Sequence, residues 1–169
     1  MDLSSVIRKG HPIAFAIFIV LSLILAIIAS AVVANLNHHG NDVTNLVRDS
    51  ARFMVFTGWW SVLLGAVFLA LFVTGIGGVF SSIASHGIFI LLTWIFWLCG
   101  SAALSNAVGN SQCTNDENAD NFIRDCDALK AIVAFGWIGW VELTLLLGVI
   151  LFLAAKAFRG GRGVQDSLA

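Results

Sequence analysis

Four apolar runs, at 12–36, 53–74, 87–108 and 128–155, take up most of this 169-residue chain and exclude a water-soluble globule. A helix needs about 20 predominantly apolar residues to cross the hydrocarbon of a bilayer, and each run is long enough. Inside lipid every backbone N–H and C=O must be bonded within the chain, so only helices and closed barrels can cross. No run alternates apolar and polar residues with the period of two that a barrel strand needs. The expectation is an all-α integral membrane protein, a four-helix transmembrane bundle formed by residues 1–158. Residues 159–169, which include Arg-Gly-Gly-Arg-Gly, read as a flexible cytoplasmic tail.

With 59% hydrophobic and 11% charged positions, the sequence has room for one bundle and its loops, and for no separate soluble domain. The net charge of −1 hides an uneven distribution. Arg8 and Lys9 precede the first run, and Lys156, Arg159 and Arg162 follow the last. An even number of crossings puts both ends on one side, and these flanking cations place both termini in the cytoplasm. The first run far exceeds the roughly 7–15 apolar residues of a signal-peptide core, so it reads as a retained helix.

That orientation puts Cys113 and Cys126 in an outer loop among Asp116, Glu117, Asp120, Asp125 and Asp127. Cysteines in an oxidising compartment are more often paired than free. A Cys113–Cys126 disulfide would close a loop of about 14 residues and restrain the unfolded chain by roughly 3 kcal/mol; two reduced thiols in an acidic loop is the alternative. Cys99 lies mid-run and reads as a small packing residue.

Glu142 is the ionisable residue deep in a crossing. A charged carboxylate there costs about 2.5–3.5 kcal/mol on insertion scales. The group is therefore expected to be protonated, hydrogen-bonded inside the bundle, or open to a polar cavity. Ser22 and Ser61 lie at matching depth and are candidate partners. Gly139, one turn earlier, leaves space for another helix. Packing is favoured over transport, because no intramembrane Asp, Arg, Lys or His accompanies Glu142 to form a relay.

All six tryptophans come in close pairs: Trp59 with Trp60, Trp94 with Trp97, and Trp137 with Trp140. The last two pairs lie near mid-depth, away from the interfaces where membrane tryptophans concentrate. Their faces, with the small-residue ridge of Ser101 and Ser105, are candidate lipid or oligomer contacts; plain bundle packing is the favoured reading. Glu142 is expected to point inward and Trp137 and Trp140 toward lipid or a partner. A second small ridge, Ala26, Ser30 and Ala34, allows a neighbouring helix to approach closely. Arg48 and Arg52 share a face of a helical lead-in at 47–53, either pairing with loop acids or snorkelling at the interface.

Soluble-enzyme signatures are missing: there is no GxSxG, phosphate loop, HExxH or CxxC. The four histidines divide between the two sides, so no metal site is expected. No catalytic residue, resident cofactor or nucleic-acid partner is expected either; a bound sterol or phospholipid is the ligand such faces could hold.

Several stretches resemble the fungal MARVEL-domain proteins, the four-helix group that includes the non-classical export proteins. They are Arg8-Lys9-Gly10-His11-Pro12 before the first helix, and Val47-Arg48-Asp49-Ser50-Ala51-Arg52-Phe53 before the second. Ser85-His86-Gly87 with Thr93-Trp94-Ile95-Phe96-Trp97 marks the third, and the loop cysteines leading to Ala134-Phe135-Gly136-Trp137 mark the fourth. Claudin-like proteins carry paired cysteines in the first outer loop, and tetraspanins a Cys-Cys-Gly motif; this chain has neither. The resemblance implies a non-enzymatic membrane-organising role in plasma-membrane microdomains or vesicle traffic. It also implies membrane lipids, further copies of the chain and other membrane proteins as partners. The competing function is a channel, transporter or accessory subunit that uses Glu142.

Overall fold

Each apolar run folds as one helix, and every helix extends beyond the run that specifies it. The computed structural model of the protein describes residues 3–38, 44–74, 83–109 and 126–159. They form α1 (Leu3–His38), α2 (Asn45–Thr74), α3 (Ile83–Gly109) and α4 (Cys126–Arg159). Cys113, most of the acidic loop and nearly all of the tail lie outside the described residues.

Even α3, with 27 residues, is about 40 Å long at 1.5 Å per residue, against roughly 30 Å of hydrocarbon. The extra turns come from polar flanks that apolarity does not register. α2 includes the lead-in at 47–53, as expected. α1 starts at Leu3 instead of at Pro12, so the proline lies inside the helix. There it removes one backbone donor and leaves one carbonyl a turn earlier without its usual partner.

Neighbouring helices run antiparallel. A Cβ on Gly58 would meet the Ala26 backbone at 2.9 Å, and one on Gly65 would meet Ile19 at 3.1 Å, so α2 descends as α1 rises. Ser61 lies beside Trp97 and Phe68 beside Phe89, which reverses direction again between α2 and α3. Ser105 meets Trp137 and Gly87 faces Ile150, so α4 descends along α3. α4 also packs on α1, closing a four-sided bundle.

The buried stripe of α4 is Leu129, Ile132, Gly136, Gly139, Leu143, Leu146 and Ile150. Steps of three and four residues keep such a stripe on one side of a helix. Across the diagonal, α1 and α3 meet through rings: Phe15 with Phe89 at 6.3 Å, and Phe18 with Trp97 at 5.5 Å between centroids. Only 28–39% of each membrane-crossing window is buried inside the bundle. Most of the surface is left for hydrocarbon, including Ile13, Ile17, Leu63, Ile88 and Leu145. Apolar area gains little by moving from lipid into a bundle, so close packing and interhelical hydrogen bonds must hold these helices together.

Candidate functional site

Five of the six indoles donate to a hydroxyl on a neighbouring helix. Trp59 Nε1 reaches Ser30 Oγ at 3.2 Å, and Trp60 Nε1 reaches Thr93 Oγ1 at 3.2 Å. Trp94 Nε1 donates to Thr144 Oγ1 at 2.8 Å, and Trp137 Nε1 to Ser105 Oγ at 2.9 Å. Trp97 Nε1 donates to Ser61 Oγ at 2.9 Å. Three of these acceptors pass the chain on within their own helix. Ser61 donates to Thr57 O at 2.8 Å, Thr93 to Phe89 O at 2.8 Å, and Thr144 to Trp140 O at 2.8 Å. Such back-bonding lets a hydroxyl sit in hydrocarbon with its proton already placed and a lone pair still available. Each indole N–H in turn finds the acceptor that a buried polar tip requires.

Trp97 joins all four helices. It projects from α3 with 0% exposure; its ring lies against Phe18 of α1, and its N–H bonds Ser61 of α2. On α4 it lies over Gly139, where any Cβ would overlap the six-membered ring. The space expected at Gly139 is thus filled by Trp97. Gly136, one turn away, closes on Ser101 and Met54 in the same manner.

Glu142 stands one turn beyond Gly139, half-buried, at the midpoint of α4. Its Oε2 is enclosed and has no hydrogen-bond partner among the described residues. The expected partnership with Ser22 or Ser61 does not form. Ser22 Oγ donates to Phe18 O at 2.7 Å, and Ser61 is committed to Thr57 and Trp97. Ser101 Oγ and Trp140 Nε1 are likewise enclosed without a partner among the described residues.

The structure turns Trp137 and Trp140 inward, against the expectation that they face lipid or a partner. Trp97 and Ser101 are 0% exposed and cannot touch lipid or another copy. Trp137 and Trp140 face α3: Trp137 bonds Ser105, and Trp140 lies 5.7 Å from Trp94. For Trp137 the physical reason is that an indole N–H directed at hydrocarbon has no acceptor, while Ser105 on the neighbouring helix offers one; Trp140 is held by its ring contacts with Trp94 and Trp137. Ser105 serves as that acceptor, so its role is also internal. Trp60 is half-buried in a plate with Phe56 and Phe96, at 5.8 and 5.6 Å. Trp59 keeps 40% of its surface open.

Ser30 and Thr93 were not legible as acceptors in the sequence, because their function depends on which tryptophan arrives at their depth. Of the ridge on α1, Ala26 and Ser30 meet α2, while Ala34 is exposed. Arg52 donates to Asn37 Oδ1 at 2.9 Å, tying the start of α2 to the end of α1, with Asp49 at 3.6 Å; Arg48 is half-buried one turn earlier. Cys99 is a free, exposed thiol on α3. Among the described residues no three His, Cys, Asp or Glu side chains gather as a metal site.

Four antiparallel membrane-crossing helices, cross-linked by indole–hydroxyl pairs, define an integral, multi-pass membrane protein of the four-helix class. The family model of the MARVEL membrane-associating domain matches residues 12–149, and the chain belongs to that family. Neither the curated proteins nor the solved structures yield a match.

Proposed function

We propose that the protein organises membranes without catalysing a reaction, gathering lipids and further copies of itself in plasma-membrane microdomains or trafficking vesicles of a fungal cell. The observation that carries this reading is where the polar chemistry goes. Five indole N–H groups and their hydroxyl partners are spent on holding the bundle together, with Trp97 filling its middle. What the protein offers its surroundings is the apolar outer surface, and a rigid rod bundle can act on a bilayer through that surface. The MARVEL membership supports the same role, and the likeness to non-classical export proteins supports the vesicle setting. Lipid or sterol contact belongs to the open faces around Trp59, Phe56 and Leu63, which are 40%, 47% and 62% exposed. Both termini face the cytoplasm in this reading, and a Cys113–Cys126 disulfide braces the outer loop. That pairing leaves out Cys99, a free thiol on α3.

The test is the lateral distribution of a fluorescently tagged protein in the plasma membrane of a fungal host. Clustered patches that disperse when sterol is extracted are expected; a uniform distribution would refute the reading. A conduit or accessory subunit is the second reading, and the enclosed, unpartnered oxygen of Glu142 is the observation in its favour. Proton or cation flux in reconstituted liposomes that is lost in Glu142→Gln would establish it.

A further inference from the structure

We propose that a second copy of this chain docks on the outward face of α4, with the two Glu142 carboxyls hydrogen-bonded to each other across a twofold axis along the bilayer normal. The proposal rests on the membrane-organising reading and deepens it by naming the surface through which copies gather.

The unsatisfied carboxyl is the first ground. Glu142 lies at the middle of α4, one turn from the residue that faces Trp97, itself close to the middle of α3. Lipid headgroups do not reach that depth, and hydrocarbon offers no donor. The hydroxyls of Ser22, Ser61 and Thr144 are committed to the carbonyls of Phe18, Thr57 and Trp140. Oε2 is enclosed within its own bundle, so the oxygen that a group on another membrane helix can meet is the other one, on the open side of this half-buried residue.

The surface around Glu142 is the second ground. Phe135, Ile138, Glu142, Leu145, Val149 and Phe152 follow one another by three and four residues, the a/d spacing of a knobs-into-holes seam. This seam is separate from the buried one. Ile138, Leu145 and Phe152 are 52%, 67% and 56% exposed, while Phe135 and Glu142 form its half-buried edge. One polar residue at an a position of such a seam fixes register and partner number. Rotation about the terminal bond of the side chain, a soft twofold torsion, brings either carboxyl oxygen to the open side.

Symmetry decides the occupant. Copies inserted with the same orientation can form a self-complementary pair only about an axis along the membrane normal. Each seam residue then meets its own counterpart at equal depth, so Glu142 meets Glu142. A neutral carboxyl both donates and accepts, so the open oxygen of one can hydrogen-bond the open oxygen of the other.

The experiment uses the full chain in phosphatidylcholine vesicles, with energy transfer between labelled copies followed as protein is diluted into lipid. Glu142→Gln retains a donor and an acceptor and is expected to pair as the wild type does. Glu142→Leu is expected to weaken pairing roughly three- to thirtyfold, the range of single polar contacts between membrane helices. In a Cys99→Ala background, Leu145→Cys should cross-link on mild oxidation and Leu63→Cys on α2 should not. Undiminished pairing of Glu142→Leu, or cross-linking at Leu63→Cys in place of Leu145→Cys, would overturn the proposal, as would a wild-type monomer at every dilution. Clusters in cells that survive Glu142→Leu would remove this contact and leave the organising role standing. A uniform cellular distribution with vesicle pairing intact would do the reverse.

Discussion

The N–H of Trp97 bonds the hydroxyl of Ser61 at 2.9 Å in a fully buried position, tying α3 to α2 where all four helices meet. Ser61→Ala leaves a buried indole donor with no acceptor, a loss of about 1–3 kcal/mol. Trp97→Phe removes the donor and also leaves a void beside Phe18 and Gly139. In a double-mutant cycle the two sites should couple by about 0.6–2 kcal/mol, the range for hydrogen bonds between membrane helices. Unfolding of the purified protein in mild detergent reads the coupling. Additive losses would mean that the bond contributes nothing.

Gly139 offers a sharper test of the same junction. A methyl group there overlaps the Trp97 ring, so Gly139→Ala must displace the largest side chain in the core. Overpacking of this kind costs about 1–3 kcal/mol. Gly148, two turns on, has open space around its added Cβ. Gly148→Ala should be neutral or stabilising by up to about 1 kcal/mol, because alanine is the better helix former. The pair of thermal midpoints, one lowered and one not, separates close packing from a general dislike of change in α4.

How much of this was legible beforehand follows from what a sequence encodes locally. Four crossings were readable because apolarity accumulates residue by residue, and Gly139 was readable as a place of close approach. Identifying Trp97 as the filler required the register between α3 and α4, which neither segment states alone. The sequence leaves the tryptophan faces open between bundle packing and outside contact, because it shows their depth and not their neighbours. Once Ser30, Thr93, Ser105 and Thr144 are known to lie at matching levels, the inward direction follows from the need of an indole N–H for an acceptor. Glu142 was recognisable from its charge, but the carbonyl bonds that withhold Ser22 and Ser61 from it were not.

Arg52 bridges Asn37 and Asp49 at the junction of α1 and α2, and the Arg52 and Asp49 side chains are 51% and 71% exposed. Water competes for every group in that arrangement, so the ion pair is worth about 0–1 kcal/mol. Arg52→Ala should therefore leave the thermal midpoint of the detergent-solubilised protein nearly unchanged. A loss well above that range would mean that the Asn37 contact governs how α1 meets α2.

Lipid access should distinguish Trp59 from Trp97. Trp59 is 40% exposed although its N–H is bonded to Ser30, whereas Trp97 is enclosed on every side. Phospholipids brominated along their acyl chains quench indoles that they touch. In vesicles of such lipid, Trp59→Phe should remove a strongly quenched share of the emission. Trp97→Phe should remove emission that the bromines scarcely reach, leaving the remaining indoles quenched to a greater average extent. Equal quenching of both shares would mean that hydrocarbon reaches the middle of the bundle, and the packed junction around Trp97 would then be wrong.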